Sequence, residues 1–301
     1  MRCGVLAIAT LVCACEAQVQ QQVPLEDSKP LEIHAVNYPL LYFAERTGGD
    51  AVRVTLPAPA DVDPAHWSPD PETVAAFQGA DLILLNGAGY AKWVGRASLP
   101  RARLVDTSAA FRDRLIPRVG GMRHVHGPRG QHAHGDVAFT TWLDPELAAL
   151  QARAVVDALA RERLESADDF RSRFQPLEDD LKALDDRLAE ASERLGDAPL
   201  LFSHPVYEYL ARRYDLNARS LDWEPDASPD AAAWRELDAI LEEHAAGWML
   251  WEAEPLEETR RRLESLGVRS AVFDPCANVP SDGDWLSVMG GNAAALEGVA
   301  G

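Results

Sequence analysis

The stretch from Pro145 to Leu195 constrains the fold most, because it runs about fifty residues without one strand-like apolar run. Within it Leu177, Leu181, Leu184, Leu188 and Leu195 recur at steps of three or four or their sum. That spacing places them on one face of a helix, with Asp, Glu and Arg elsewhere. Pro176 predicts a kink or the start of a second helix at that point. On both sides the pattern changes. L-E-I-H-A-V-N, V-R-V-T-L-P, D-L-I-L-L-N-G and R-L-V-D-T precede the helical stretch; P-L-L-F-S-H, W-M-L-W-E and S-A-V-F-D-P follow it. These short apolar runs read as buried parallel strands, and helical segments such as Tyr38 to Thr47 lie between them. The predicted fold is α/β: two lobes, each a small, mostly parallel sheet flanked by helices, joined by a long connector helix. The divisions fall at 31–144, 145–197 and 198–301.

The first residues read differently. Arg2 is the only charge before Glu16, and the apolar run Gly4 to Val12 is too short to span a bilayer. Residues 1–14 are expected to be a signal peptide. Val12-Cys13-Ala14-Cys15 resembles a bacterial lipobox, which makes Cys15 the lipidated residue of a periplasmic, membrane-anchored lipoprotein. Residues 15–30, polar and rich in Gln, read as its tether. Of the four cysteines, Cys3, Cys13, Cys15 and Cys276, only Cys276 then keeps a free side chain, so no internal disulfide is expected. The chain has 29 Lys+Arg against 48 Asp+Glu, a formal net charge of −19. Such acidity argues against nucleic-acid binding, which needs a basic face, and against charge-driven adhesion to an anionic membrane.

Four of the eight histidines fall in H-V-H-G-P-R-G-Q-H-A-H-G, residues 124–135: His124, His126, His132 and His134. Gly and Pro are expected to keep this tract out of regular structure. A His-rich loop in an acidic exported protein points to weak capture of transition metal. Ligands of open parallel sheets bind beyond the carboxyl ends of the strands. In the second lobe those ends carry His204, Glu252 and Asp274, one imidazole and two carboxylates, all competent ligands for a divalent transition metal. His34 and His244 read as structural.

Beyond these residues the chain resembles the metal-binding lipoproteins of bacterial ABC importers for zinc and manganese. The resemblance is carried by V-N-Y-P-L-L-Y-F-A-E-R-T-G-G-D, P-A-P-A-D-V-D-P-A-H-W-S-P, A-D-L-I-L-L-N-G-A-G-Y-A-K-W, T-W-L-D-P, S-H-P-V-Y-E-Y-L-A-R-R-Y and V-F-D-P, and covers nearly the whole mature chain. It implies one metal in a cleft between the lobes, with His204 and Asp274 among its ligands. The first family histidine directly follows D-P; here Ala65 intervenes and the histidine is His66. The second falls on Thr140, a poor ligand, and His134 or His132 from the loop is the expected substitute. Glu252 and Cys276 are further candidates, as ligands or as partners that orient a histidine.

The expected function is therefore solute binding without catalysis: capture of zinc, with manganese as the alternative, and delivery to an ABC permease by a monomer. A metal buffer, chaperone or adhesin of the same fold is the alternative, and a zinc hydrolase with Glu252 as general base is a weaker one, since no H-E-x-x-H is present. With ordinary imidazoles, metal affinity is expected to fall steeply below about pH 6.

Overall fold

In the computed structural model, residues 29–118 and 137–301 are described, together with the backbone of 123–126 and 130–133. The leader, Cys15 and nearly all of the tether lie outside the described residues. The first sheet is built from β1 (Leu31–Ala35), β2 (Val52–Thr55), β3 (Leu82–Leu85) and β4 (Leu104–Asp106). All pairings are parallel, in the order β2-β1-β3-β4. Helices α1 (Tyr38–Gly48) and α2 (Pro71–Gly79) make the crossovers β1 to β2 and β2 to β3. Each has proline in its first turn and an Asx cap: Asn37 accepts from Leu40 N–H, and Asp70 from Thr73 N–H. The uniformly apolar β3 sits at the sheet centre, as expected of a strand covered on both faces.

The His-rich tract departs from its reading. Arg123–His126 (β5) and Gly130–Ala133 (β6) pair antiparallel, with His124 opposite His132. The pairing joins Arg123 to Ala133, His124 to His132, Val125 to Gln131 and His126 to Gly130. The side chains of His124, His126, His132 and His134 lie outside the described residues.

The connector is two helices, α3 (Pro145–Glu162) and α4 (Ala167–Leu195). The break falls at Arg163, not at Pro176. Arg163 leaves helical geometry at φ −138° and its guanidinium donates to Ala51 O and Lys29 O, tying the turn to the first lobe. Pro176 lies inside α4 on the exposed face, where the Ser172 carbonyl that it deprives of a donor belongs to an exposed residue. Phe170, Phe174, Leu177, Leu181, Leu184 and Leu188 form the buried stripe of α4.

The second sheet contains β7 (Leu200–Phe202), β8 (Ala218–Ser220), β9 (Trp248–Trp251) and β10 (Arg269–Val272), all parallel, in the order β10-β9-β7-β8. Helices α5 (Glu208–Tyr214), α6 (Ala231–Glu243) and α7 (Glu257–Ser265) connect them. The last helix, α8 (Trp285–Ala300), returns to pack on α4 and on α1, where Trp285 meets Phe43 edge-on at 5.2 Å. One apolar core therefore runs through both lobes and the connector. No helix among the described residues is long and apolar enough to cross a membrane.

Candidate metal centre

In each sheet the chain reverses its winding direction beside the first strand, and the crevice beyond that point is where such folds bind ligands. In the second sheet it lies between β7 and β9. His204 follows β7 and Glu252 follows β9. The imidazole is held on both sides: Nδ1 lies 3.1 Å from Glu252 Oε1 and Nε2 lies 3.2 Å from Asp222 Oδ1. Burial alone disfavours imidazolium, but hydrogen bonds to Asp222 and Glu252 and the charges of Glu252 and Glu224 outweigh it, raising the His204 pKa to about 10. The raised pKa favours the imidazolium form of His204 between Asp222 and Glu252.

Asp274 extends from β10. Asn292 of α8 clamps its backbone, accepting from its N–H at 2.9 Å and donating to its carbonyl at 2.6 Å. Its carboxylate accepts the Cys276 N–H at 2.7 Å. Desolvation raises the Asp274 pKa, opposed by that N–H and assisted by Glu252. Cys276 itself sits at φ +53°, in the left-handed region. Its thiol is buried, faces the Asn278 carbonyl at 3.8 Å, and is held protonated mainly by desolvation. The Cys276 backbone N–H thus reaches Asp274, while its sulfur turns toward another carbonyl. Glu254 is exposed.

The first lobe answers with the loop after β2. Asp63 Oδ1 caps the turn by accepting the Ala65 N–H at 2.8 Å, and Oδ2 lies 3.8 Å from His66 Nε2. By area the Asp63 side chain is 53% exposed, yet protein crowds its carboxylate closely enough to desolvate it. Both hold for a group on a cleft wall, reachable by water but surrounded on most sides. Desolvation raises its pKa to about 6; the Ala65 N–H and His204 oppose the rise, and Glu252 and Glu224 assist it. That electrostatic coupling places Asp63 across the cleft from His204 and Glu252. His66 packs edge-on to Phe139 at 6.4 Å between centroids. Behind the loop, the buried Tyr90 hydroxyl has no hydrogen-bond partner among the described residues; its pKa is raised by burial and then by Asp63.

Thr140 is buried and its hydroxyl donates across the cleft to Val206 O at 2.5 Å. At the corresponding crevice of the first sheet, between β1 and β3, Asn37, Asn86 and Gln151 form a buried amide network. Arg118, beside the His-rich segment, donates to Pro205 O at 2.5 Å and to Glu208 at 2.7 Å, and stacks on Phe139. Arg118 is thereby held beside His204.

Of the residues singled out from sequence, His204, Glu252, Asp274 and His66 lie around one cleft, with Cys276 behind Asp274. Among the described residues, no group of three or more His, Cys, Asp or Glu is arranged to hold a metal ion. The His204 nitrogens instead meet carboxylates at hydrogen-bonding distance. Sequence reading missed three residues of this cleft: Asp63, Asp222 and Glu224. Asp222 and Glu224 follow β8, whose A-R-S carries too little apolar signal to be read as a strand. Asp63, in D-V-D-P, ends no apolar run that would mark it as a strand-end ligand.

The chain matches the family described as "ZnuA: Zinc-uptake complex component A periplasmic" over residues 33–299, and it belongs to that family. Among curated relatives it is 25% identical over 291 residues to the "High-affinity zinc uptake system protein ZnuA" of Bacillus subtilis, covering 90% of this chain and 88% of that protein. It is 22% identical over 278 residues to the "Zinc-binding protein AdcA" of Streptococcus pyogenes serotype M3, covering 86% of this chain but only 54% of that longer protein. The crystal structure of the Zn(II)-bound ZnuA-like domain of Streptococcus pneumoniae AdcA superposes with a TM-score of 0.76 at 21% identity, over 90% of this chain and 99% of that one. The likeness shows the same two-lobed fold.

Proposed function

We propose that this protein captures a zinc ion in the cleft between its lobes and delivers it to an ABC permease, acting as a monomer anchored in the periplasm through Cys15. The observation that carries the reading is the position of His204. It stands where the second sheet reverses direction, and faces across the cleft Asp63, whose carboxylate lies 3.8 Å from His66 Nε2. Zinc accepts imidazole and carboxylate together. We assign His204 and Asp274 as ligands from the second lobe and His66, with Asp63, from the first. Glu252 and Asp222 hold the His204 ring and receive its charge. His132 or His134 is the candidate to complete the set, since Arg118, which precedes that tract in the chain, bonds Pro205 O and Glu208 beside His204, with His124 and His126 adding weak capture sites.

The task is ligand exchange, not catalysis. In the absence of metal the imidazolium neutralises part of a strongly anionic cleft. Zinc replaces the proton, and both lobes close around one cation. Competition titration tests this: the wild type should hold one zinc tightly, and His204→Ala and Asp274→Ala should each lose that binding. The carboxylate-rich wall supports manganese as a second cargo, since oxygen ligands suit it. Titration with manganese on the same samples decides between them: tighter manganese than zinc would reverse the assignment.

A further inference from the structure

The loop that bears Asp63 and His66 is held to the opposite lobe by one side chain. Asn278 lies four residues beyond Asp274. Its Oδ1 accepts the Val279 N–H at 2.8 Å, which fixes the orientation of the amide. Its Nδ2 then donates twice across the cleft, to Pro59 O at 2.7 Å and to Val62 O at 2.9 Å. Both amide hydrogens are used, and both acceptors belong to the turn leading into Asp63, where Val62 N–H itself returns to Pro59 O at 3.1 Å. The segment that carries Asn278 is braced on the first lobe as well. Trp142 Nε1 donates to Pro275 O at 2.7 Å and Tyr38 N–H to Ala277 O at 2.9 Å. Cys276 between them adopts left-handed backbone, which costs a non-glycine residue about 1–2 kcal/mol and persists where surrounding contacts enforce it.

We propose that Asn278 is a positioning residue that governs how long the cleft keeps its metal. It joins the Asp274 segment to the Asp63–His66 loop, so that the two walls hold their ligands as one unit. The proposal rests on the metal-capture reading of the cleft. While Asn278 bridges the loops, release requires breaking two amide–carbonyl hydrogen bonds in addition to metal–ligand bonds. Entry opens the same clasp, which is closed in the structure, so association is slowed as well. The residue therefore sets the rate of metal exchange, and with it how long a bound ion stays.

The test is zinc release into excess chelator, followed by stopped flow, for the wild type, Asn278→Ala and Asn278→Asp. Asn278→Asp keeps the shape but sets a carboxylate against two carbonyl oxygens, and it decides the matter should the alanine variant fold poorly. Dissociation is expected to quicken about tenfold in Asn278→Ala and further in Asn278→Asp, with association quickened as well. Hydrogen exchange at the His66 and Trp67 amides, both bonded to Asp63 O, should also quicken in the metal-free variants. A lower melting temperature with wild-type release rates would show a merely structural role and overturn the proposal. A wild type that holds no zinc tightly would instead overturn the reading of the cleft, and this proposal with it.

Discussion

Zinc binding at pH 8 should expel about one proton from His204, because the ring nitrogens are held by carboxylates at 3.1 and 3.2 Å and the pKa is raised to about 10. At pH 8 a group of pKa about 10 is about 99% protonated, whereas an ordinary imidazole of pKa about 6.5 is about 3% protonated. Between pH 6 and 8 the apparent affinity should rise about a hundredfold from this group alone, against about fourfold for an ordinary histidine. The pH dependence therefore extends well above the acid limb expected from unperturbed imidazoles. The sign for stability follows from the same shift. A histidine whose pKa is raised on folding stabilises the metal-free fold fully below about pH 6.5, and that contribution is lost as pH rises through about 10. The assay is calorimetric zinc titration at pH 8 in buffers of different ionisation enthalpy, repeated on Asp222→Asn, which removes one of the two hydrogen-bonded carboxylates. The wild type should release close to one proton and the variant should show a lower pH midpoint. Release of less than about 0.2 proton by the wild type would refute the imidazolium between carboxylates.

Other outcomes follow from the same geometry. Asp63→Asn removes an anion facing His204 and should weaken zinc about tenfold or more in competition titration; unchanged affinity would remove Asp63 from the site. Deleting residues 124–135 should slow zinc association if the histidines only capture, and should also speed dissociation if one of them is a ligand, a distinction stopped flow reads directly. Asp144 caps α3 through Glu146 N–H and Leu147 N–H and lies within 4 Å of Arg114, Arg212 and Arg213, so Asp144→Ala should cost about 2 kcal/mol or more in chemical denaturation.

Much of this architecture was legible in the sequence because it rests on local signals. Continuous apolar runs marked seven of the eight sheet strands that carry the lobes, all but β8, and the Leu177–Leu188 stripe marked α4. What was not legible depended on tertiary contacts. Arg163 breaks the connector by reaching Ala51 and Lys29, partners distant in sequence, whereas Pro176 sits harmlessly on an exposed face. β8 is three residues long and takes its place through pairing with β7, so Asp222 and Glu224 could not be placed at a strand end beforehand. At the site, His204, Glu252 and Asp274 were found because each ends an apolar run. The role of Asn278 rests on contacts with Pro59 and Val62, more than two hundred residues away, and no local pattern announces it.

The most direct test of the account is competition titration of zinc against a calibrated chelator, with elemental analysis, on untagged wild type and on His204→Ala. The wild type is predicted to retain one zinc in the cleft through gel filtration, and His204→Ala to retain none there while keeping its fold by circular dichroism. Equal zinc content and equal affinity in the two proteins would contradict the assignment of His204 and of the cleft it centres.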